Sequence, residues 1–337
     1  MSVIKIVDSS IEFECGSEDT ITRAALRAGL GMPYECNVGC CGTCKFELID
    51  GAVDSAWPAA PALSERDRSK NRALGCQSHP QGDCTIKVRV AEQYLPMHRP
   101  RRFVAALASI RDITHDIREF HLQADESLPF LPGQYALLSL PDLSWQRAYS
   151  MSNAVTGKGD AIWQFQIKRM PGGQGTTVLF DRLRIGDQVG MDGPYGSAYL
   201  REDSARDLVC IAGGSGISPM LSIARAMMVS PTMAARKLHF FYGGRARRDI
   251  CGEAELRELP EFAERLFYHP SLSMQDADAG WSGHVGFVHE NVLPTIRGTP
   301  TDYEYYFAGP PAMTQATQRL LMQNKVPLTQ MHFDQFY

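Results

Sequence analysis

The sequence predicts three modules in one chain: a small α+β module, an antiparallel β-barrel, and an α/β module built on a doubly wound parallel sheet. Three observations support this. Four cysteines gather around one glycine-rich loop early in the chain, residues 101–204 are a run of short strand-like segments broken by Pro and Gly, and from Arg206 the pattern becomes strand, glycine turn, helix, strand. A chain of 337 residues has room for two or three cores.

In the first module, Val3 to Val7 and Ile11 to Cys15 read as a hairpin. Asp19 or Thr20 is placed to cap a helix whose apolar face is Ala24, Ala25, Leu26 and Leu30. Lys45 to Asp50 and Cys84 to Val90 are strand-like, and Ser64 opens a charged helical stretch. These segments assign residues 1–92 to the module. Residues 93–100 form a linker, since Pro96 and Pro100 favour extended chain.

Cys36, Cys41 and Cys44 follow C-x4-C-x2-C, and Cys76 lies 32 positions further on, the spacing of a plant-type [2Fe-2S] centre. Gly39 and Gly42 let the loop fold around three thiolates and turn amide N–H groups toward the sulfurs, which favours added negative charge on reduction. An alternative is a zinc site from Cys41, Cys44, Cys76 and His79, although it leaves Cys36 and the glycines unused. A disulfide framework suits neither an odd count of nine cysteines nor an N-terminus without a secretory pattern, so a cytoplasmic location is expected.

The barrel is assigned residues 101–204. Phe103 to Ile110, Ile117 to Gln123, Tyr135 to Leu140 and Ala161 to Arg169 carry its β-formers. Arg147-Ala148-Tyr149-Ser150 combines a guanidinium suited to phosphate, an aromatic plate and a hydroxyl. Ile167 and Lys168 end a strand, and the turn from Gly172 through Gly173 to Thr176 and Thr177 opens a helix that suits an anion. Each has an ordinary structural explanation by itself. Together they suggest a cradle for the flavin mononucleotide half of a cofactor.

In residues 205–337, Gly213, Gly214, Ser215 and Gly216 lie between a strand and a helix that begins near Pro219, where glycines admit a pyrophosphate to the backbone. Tyr242 to Asp249 holds both an acid suited to a ribose diol and arginines suited to a 2′-phosphate, so NADH and NADPH both remain open at this point. The Gly309-Pro310-Pro311 turn follows the aromatic strand Tyr303 to Phe307. A formal charge of -4 gives no electrostatic footprint for nucleic acid. The most apolar window, Leu208 to Val229, is interrupted by glycines, Pro219 and Arg225, which argues against a membrane span.

In combination, the four cysteines, Pro132-Gly-Gln-Tyr135, Arg147 to Ser150, Pro171-Gly-Gly173, Gly193-Pro-Tyr-Gly196, Gly214 to Pro219 and Gly309 to Pro311 are distinctive. Across essentially its whole length the chain resembles the iron–sulfur flavoprotein reductases of bacterial multicomponent oxygenases, and those of toluene-type aromatic monooxygenases in particular. The resemblance implies a β-grasp plant-type ferredoxin domain, a flavin barrel and a nucleotide domain ending in an aromatic tail. It also implies FAD held by Arg147, Ala148, Tyr149, Ser150, Ile167, Lys168, Gly172, Gly173 and Thr176, with Ser150 as the catalytic hydroxyl near the flavin N5. NADH, favoured over NADPH, would lie along Gly213 to Ser218, with Tyr242 and Arg245 on the adenine side and Gly309 and Pro310 by the nicotinamide; Tyr337 joins the cofactor contacts. Electrons would leave through the cluster to an oxygenase hydroxylase or a Rieske ferredoxin, from a monomer. A ring-hydroxylating dioxygenase reductase shares this order of domains. Two departures stand out: Ala308 replaces the cysteine common before Gly-Pro-Pro, and Cys40 adds a thiol that the loop does not require.

Overall fold

The computed structural model describes residues 1–154, 160–274 and 280–336. The chain divides into two compact units. The first comprises Met1–Arg102 with Gln146–Ala148 and Asp192–Ser197, and the second comprises Phe103–Trp145, Tyr149–Met191 and Ala198–Tyr337.

The first unit is an α+β grasp. Strands β1 (Ser2–Ile6) and β2 (Glu12–Cys15) form the expected hairpin, followed by helix α1 (Ile21–Arg27), β3 (Lys45–Asp50), β4 (Val53–Ser55), α2 (Glu65–Arg68), β5 (Arg72–Leu74), β6 (Ser78–Pro80) and β7 (Cys84–Lys87). The main sheet runs β2-β1-β7-β3-β5, with β1 and β7 parallel. Alternation along the strands sends Ile4, Ile6, Phe13, Phe46 and Ile86 into one core beneath α1. Thr20 occupies the N-cap of α1, yet its hydroxyl makes no capping bond. Asp19 instead holds Arg27 at 2.7 Å, and Arg27 also meets buried Asp192 at 2.6 Å. Ser64 caps α2 in a reciprocal box with Asp67.

In the second unit, β8 (Arg101–Asp112), β9 (Ile117–Leu128), β10 (Tyr135–Ser139), β11 (Arg147–Ser150), β12 (Asp160–Lys168) and β13 (Gln188–Tyr195) make a six-stranded sheet in the order β11-β10-β13-β8-β9-β12; some strand ends belong to the first unit. The two outer strands approach each other at Ser152, whose N–H donates to the Gln164 carbonyl at 2.7 Å, so the barrel is nearly closed. Its interior is filled by Leu107, Phe120, Leu122, Leu138, Trp163 and Phe165, all almost fully buried. Each large apolar side chain there contributes roughly 1.5–3 kcal/mol. Helix α3 (Gln174–Thr177) continues as one wider turn through Arg182.

The rest of this unit holds β14 (Asp207–Gly213), α4 (Ile217–Val229), β15 (Leu238–Gly244), α5 (Glu253–Arg257), β16 (Leu266–Leu272), β17 (His284–Val285), α6 (Val292–Thr295), β18 (Tyr303–Gly309), α7 (Pro311–Gln323) and β19 (Met331–Gln335). All six strands are parallel, in the order β17-β16-β15-β14-β18-β19. Both sheet faces are covered, so β14 is apolar throughout: Leu208, Cys210 and Ala212 face the core with α4, while Val209 and Ile211 join the opposite core with α6 and α7. The C-terminal segment read as an aromatic tail is a sixth strand, with Phe333 stacked on Phe307 at 5.0 Å.

Candidate cofactor sites

The cysteine loop bends through Asn37 (φ 55°), Gly39 (φ 87°) and Gly42 (φ 84°). This brings the four sulfurs into two pairs. Cys44 and Cys76 lie 3.3 Å apart, and Cys36 Sγ accepts the Cys41 N–H at 3.3 Å. Hydrogen bonding from Cys36 holds Cys41 down at about 5, and Cys76 is likewise lowered by Cys44. The amide N–H groups of Cys40 and Cys41 point at Cys36 Sγ, at 3.4 and 3.3 Å, and the Gln77 amide reaches Cys76 Sγ at 3.6 Å. Asn37 Nδ2 is buried beside them without a partner, although its Oδ1 accepts from Arg23 at 3.3 Å.

Two thiol pairs fit a dinuclear centre, with one pair for each iron. They do not fit a single zinc ion, which needs its ligands around one point. Among the described residues no three Cys, His, Asp or Glu side chains are so arranged. Cys40 is half-buried and is not one of the paired thiols; burial, Cys41 and Cys76 raise its pKa, against the opposing charge of Arg147.

Arg147 and Ala148 lie with the first unit, and Tyr149 and Ser150 with the second, so the four-residue motif divides in its middle. Arg147 is exposed. Tyr149 packs against the barrel core, Ile167 is part of that core, and Ser150 is 6% exposed. Lys168 Nζ meets Asp116 at 2.7 Å, and this pairing lowers the Asp116 pKa against the cost of burial. Gly172 has φ 70° with open space where a Cβ would stand. Thr176 receives the Met170 N–H at 3.2 Å, which fixes the turn, and a cleft of about 360 Å³ opens beside it between Ser144, Trp145, Gly172, Gln174 and Arg182. The open backbone at Gly172 fits a phosphate-bearing flavin, with Arg182 of the same cleft 3.5 Å from Asp142.

The nucleotide turn is close-packed. A Cβ on Gly216 would stand 1.9 Å from the Ala308 carbonyl oxygen, and one on Gly309 would stand 2.8 Å from the Gly213 carbonyl. Backbone thus packs on backbone at the C-terminal edge of β14 and β18, where doubly wound sheets bind dinucleotides. Gly214 (φ 57°) lies beside the Lys168 side chain, and the Tyr242 hydroxyl donates to the Gly214 carbonyl at 3.3 Å. Ser215 is half-buried in this turn, and Pro310 is exposed at its rim. Asp249 is committed to the amides of Arg245 and Ala246, at 3.1 and 2.9 Å, whereas Arg245, Arg247 and Arg248 are exposed. Tyr337 lies outside the described residues.

Sequence reasoning missed Asp116, and it missed the buried Glu119 behind Gln166. Their partners are 52 and 47 positions away, and no local pattern signals such pairs.

Three family models match in succession: a 2Fe-2S iron-sulfur cluster binding domain over residues 4–81, an oxidoreductase FAD-binding domain over 104–199 and an oxidoreductase NAD-binding domain over 210–319. The chain is 40% identical over 325 residues to the ferredoxin–NAD(P)(+) reductase CarAd of Metapseudomonas resinovorans, covering 96% of each. It is 31% identical to the xylene/toluene monooxygenase electron transfer component XylA of Pseudomonas putida, covering 100% of this chain and 94% of that one. The solved ferredoxin reductase in carbazole 1,9a-dioxygenase superposes with a TM-score of 0.90 at 36% identity, covering 100% of this chain and 98% of that one. With paired thiols, a flavin barrel and a dinucleotide turn in one polypeptide, the chain belongs to the iron–sulfur flavoprotein reductases of multicomponent oxygenases.

Proposed function

We propose that this chain is the NADH-oxidising reductase of a multicomponent aromatic monooxygenase of the toluene type, passing electrons to the hydroxylase or to a Rieske ferredoxin. The observation that carries the reading is the gathering of Cys36 with Cys41, whose N–H meets Cys36 Sγ, and of Cys44 with Cys76, in the same chain as the close-packed Gly216 turn. When bound, the flavin would supply the conversion of two-electron to one-electron chemistry and the iron–sulfur centre the one-electron exit. The protein's own residues supply the placement. Ser150 would present its hydroxyl toward the flavin and Tyr149 its ring, while Arg147, Ala148, Ile167, Lys168, Gly172, Gly173 and Thr176 would hold the remainder. Gly213, Gly214, Ser215 and Gly216 would receive the pyrophosphate, Arg245 would flank the adenosine, and Gly309 and Pro310 would bound the nicotinamide, while Tyr242, 1% exposed with its hydroxyl on the Gly214 carbonyl, would support the turn from behind. Ala308 offers no thiol, so positioning is the contribution of this edge to hydride transfer.

The domain limits that go with this reading are residues 1–92, a linker at 93–100, 101–204 and 205–337. Among the described residues no helix is long and apolar enough to cross a membrane. The reading adds a monomer working in the cytoplasm.

A visible spectrum with overlapping flavin and iron–sulfur bands, bleached by NADH, is the expected result, and a flavin-free protein would refute the reading. The 36% identity to the ferredoxin reductase in carbazole 1,9a-dioxygenase favours a second reading, a Rieske-type dioxygenase as acceptor. Reconstitution with each oxygenase class separates the two. Comparing kcat/KM for NADH and NADPH tests the coenzyme, since the exposed arginines suit a 2′-phosphate while Asp249 is occupied within its own turn.

A further inference from the structure

Helix α4, whose N-terminus follows the nucleotide turn, is apolar along most of its length but carries one polar stripe, Ser218, Ser222 and Arg225, at i, i+4 and i+7. All three side chains bond to the backbone of one stretch, residues 150–153. Ser218 Oγ donates to the Ser150 carbonyl at 2.7 Å, Ser222 Oγ donates to the Asn153 carbonyl at 2.6 Å, and Arg225 donates to the Ser152 carbonyl at 2.8 Å. Ser218 and Ser222 are 2% and 0% exposed.

The Ser218 hydroxyl has a second partner, because it accepts the Gln166 N–H at 3.1 Å. Where β11 and β12 approach each other, the Ser152 N–H donates to the Gln164 carbonyl. In an antiparallel ladder the next bond would join the Gln166 N–H directly to the Ser150 carbonyl. The Ser218 hydroxyl stands between those two groups. Two bonds in series, of 2.7 and 3.1 Å, span a gap that a single N–H···O bond of ~2.9 Å would close. One side chain of the nucleotide helix therefore props open the position next to the Ser152–Gln164 bond of the barrel seam, at the residue assigned to the flavin's reacting edge.

We propose that Ser218, backed by Ser222 and Arg225, is a positioning residue that fixes Ser150 relative to the nucleotide turn and so sets the geometry of hydride transfer. This rests on the reading of Ser150 and the glycine turn given under Proposed function. Without the hydroxyl, the seam closes and draws the Ser150 carbonyl toward β12, or a buried N–H and carbonyl lose their partner.

The test compares the full chain, loaded with flavin and cluster, with its Ser218→Ala and Ser218→Thr variants. Stopped-flow reduction by NADH is measured alongside the visible circular dichroism of the bound flavin and the hydrogen exchange of the peptide containing Gln166. Ser218→Ala is expected to keep its flavin content, to lose about 10- to 100-fold in limiting reduction rate, and to change both the flavin dichroism and the Gln166 exchange. Ser218→Thr, which keeps the hydroxyl, is expected to restore all three. Parental rate and dichroism in Ser218→Ala would overturn the proposal, as would a Thr variant as slow as the Ala variant. If Ser218→Ala does not hold flavin, Ser222→Ala decides: a lowered limiting rate at unchanged half-saturation supports the stripe, and a parental rate overturns it. A parent chain whose flavin NADH does not reduce refutes the hydride-entry reading itself, while the dichroism and exchange still judge the stripe.

Discussion

Replacing Glu119 by Gln should destabilise the second unit by an amount that shrinks as the pH falls. Glu119 is 2% exposed, and its carboxylate receives His121 Nε2 at 2.9 Å, Gln166 Nε2 at 2.9 Å and Arg111 at 3.2 Å. Burial by itself would raise its pKa; those hydrogen bonds, with the charges of Arg111 and Arg225, overcome that and lower it from 4.5 to about 2. A carboxylate with a depressed folded pKa stabilises above its unfolded pKa, and the contribution is lost as the pH falls toward the folded value. Holding the carboxyl at about 2 in place of 4.5 corresponds to about 3 kcal/mol at pH 7, falling to about 2 kcal/mol at pH 3.5. For a unit of this size that is roughly 6–12 °C in Tm at neutral pH. Calorimetry of parent and Glu119→Gln at pH 7, 5 and 3.5 measures both quantities. Equal melting temperatures at pH 7, or a gap that widens on acidification, would refute the assignment of Glu119 as a stabilising buried anion.

Cys76→Ser should remove the iron–sulfur absorbance and the reduced-cluster paramagnetic signal while leaving NADH reduction of flavin within about twofold of the parent, because Cys76 belongs to a thiol pair in the first unit; equal loss of both activities would contradict separate modules. Gly216→Ala places a methyl 1.9 Å from the Ala308 carbonyl oxygen and should cost about 3 kcal/mol or more, read as a fall in Tm and in NADH affinity. Ser150→Ala should slow the single-turnover reduction of flavin by about 10-fold or more, and unchanged kinetics would remove this hydroxyl from the reaction. Burial, His239 and His284 lower His269 to about 4, so the unfolded chain takes up the proton first and stability should decline as the pH falls from 6.5 toward 4; His269→Phe should flatten that decline in pH-dependent unfolding curves.

Local signals carried much of the fold. The alternation in Ser2–Ile6 and Glu12–Cys15, the strand at Lys45–Asp50 and the switch to strand–glycine turn–helix at Asp207–Val229 were readable because period and turn chemistry are properties of neighbouring residues. Helix α1 shows where such a signal falls short, since Thr20 sits at the cap position but Asp19 is spent on Arg27 and the Thr20 hydroxyl has no partner. The C-terminal residues read as a tail became strand β19, because their aromatic side chains find Phe307 and Tyr306 only once β18 is folded beside them.

For the sites, the sequence by itself determined which chemistries are present. Cysteine spacing is tied to a cluster through the short reach of a loop, and glycine turns are tied to phosphates through the space that only a missing Cβ leaves. Tertiary structure decided how those groups are grouped and held. It paired Cys36 with Cys41 and Cys44 with Cys76, committed Asp249 to its own turn, matched Lys168 with Asp116, and set one hydroxyl of α4 into the ladder between Ser150 and Gln166. Several of these contacts join residues more than 30 positions apart, and the rest depend on how a turn closes. Hydrogen-bond geometry is fixed by where strands and helices pack, so no spacing along the chain records it.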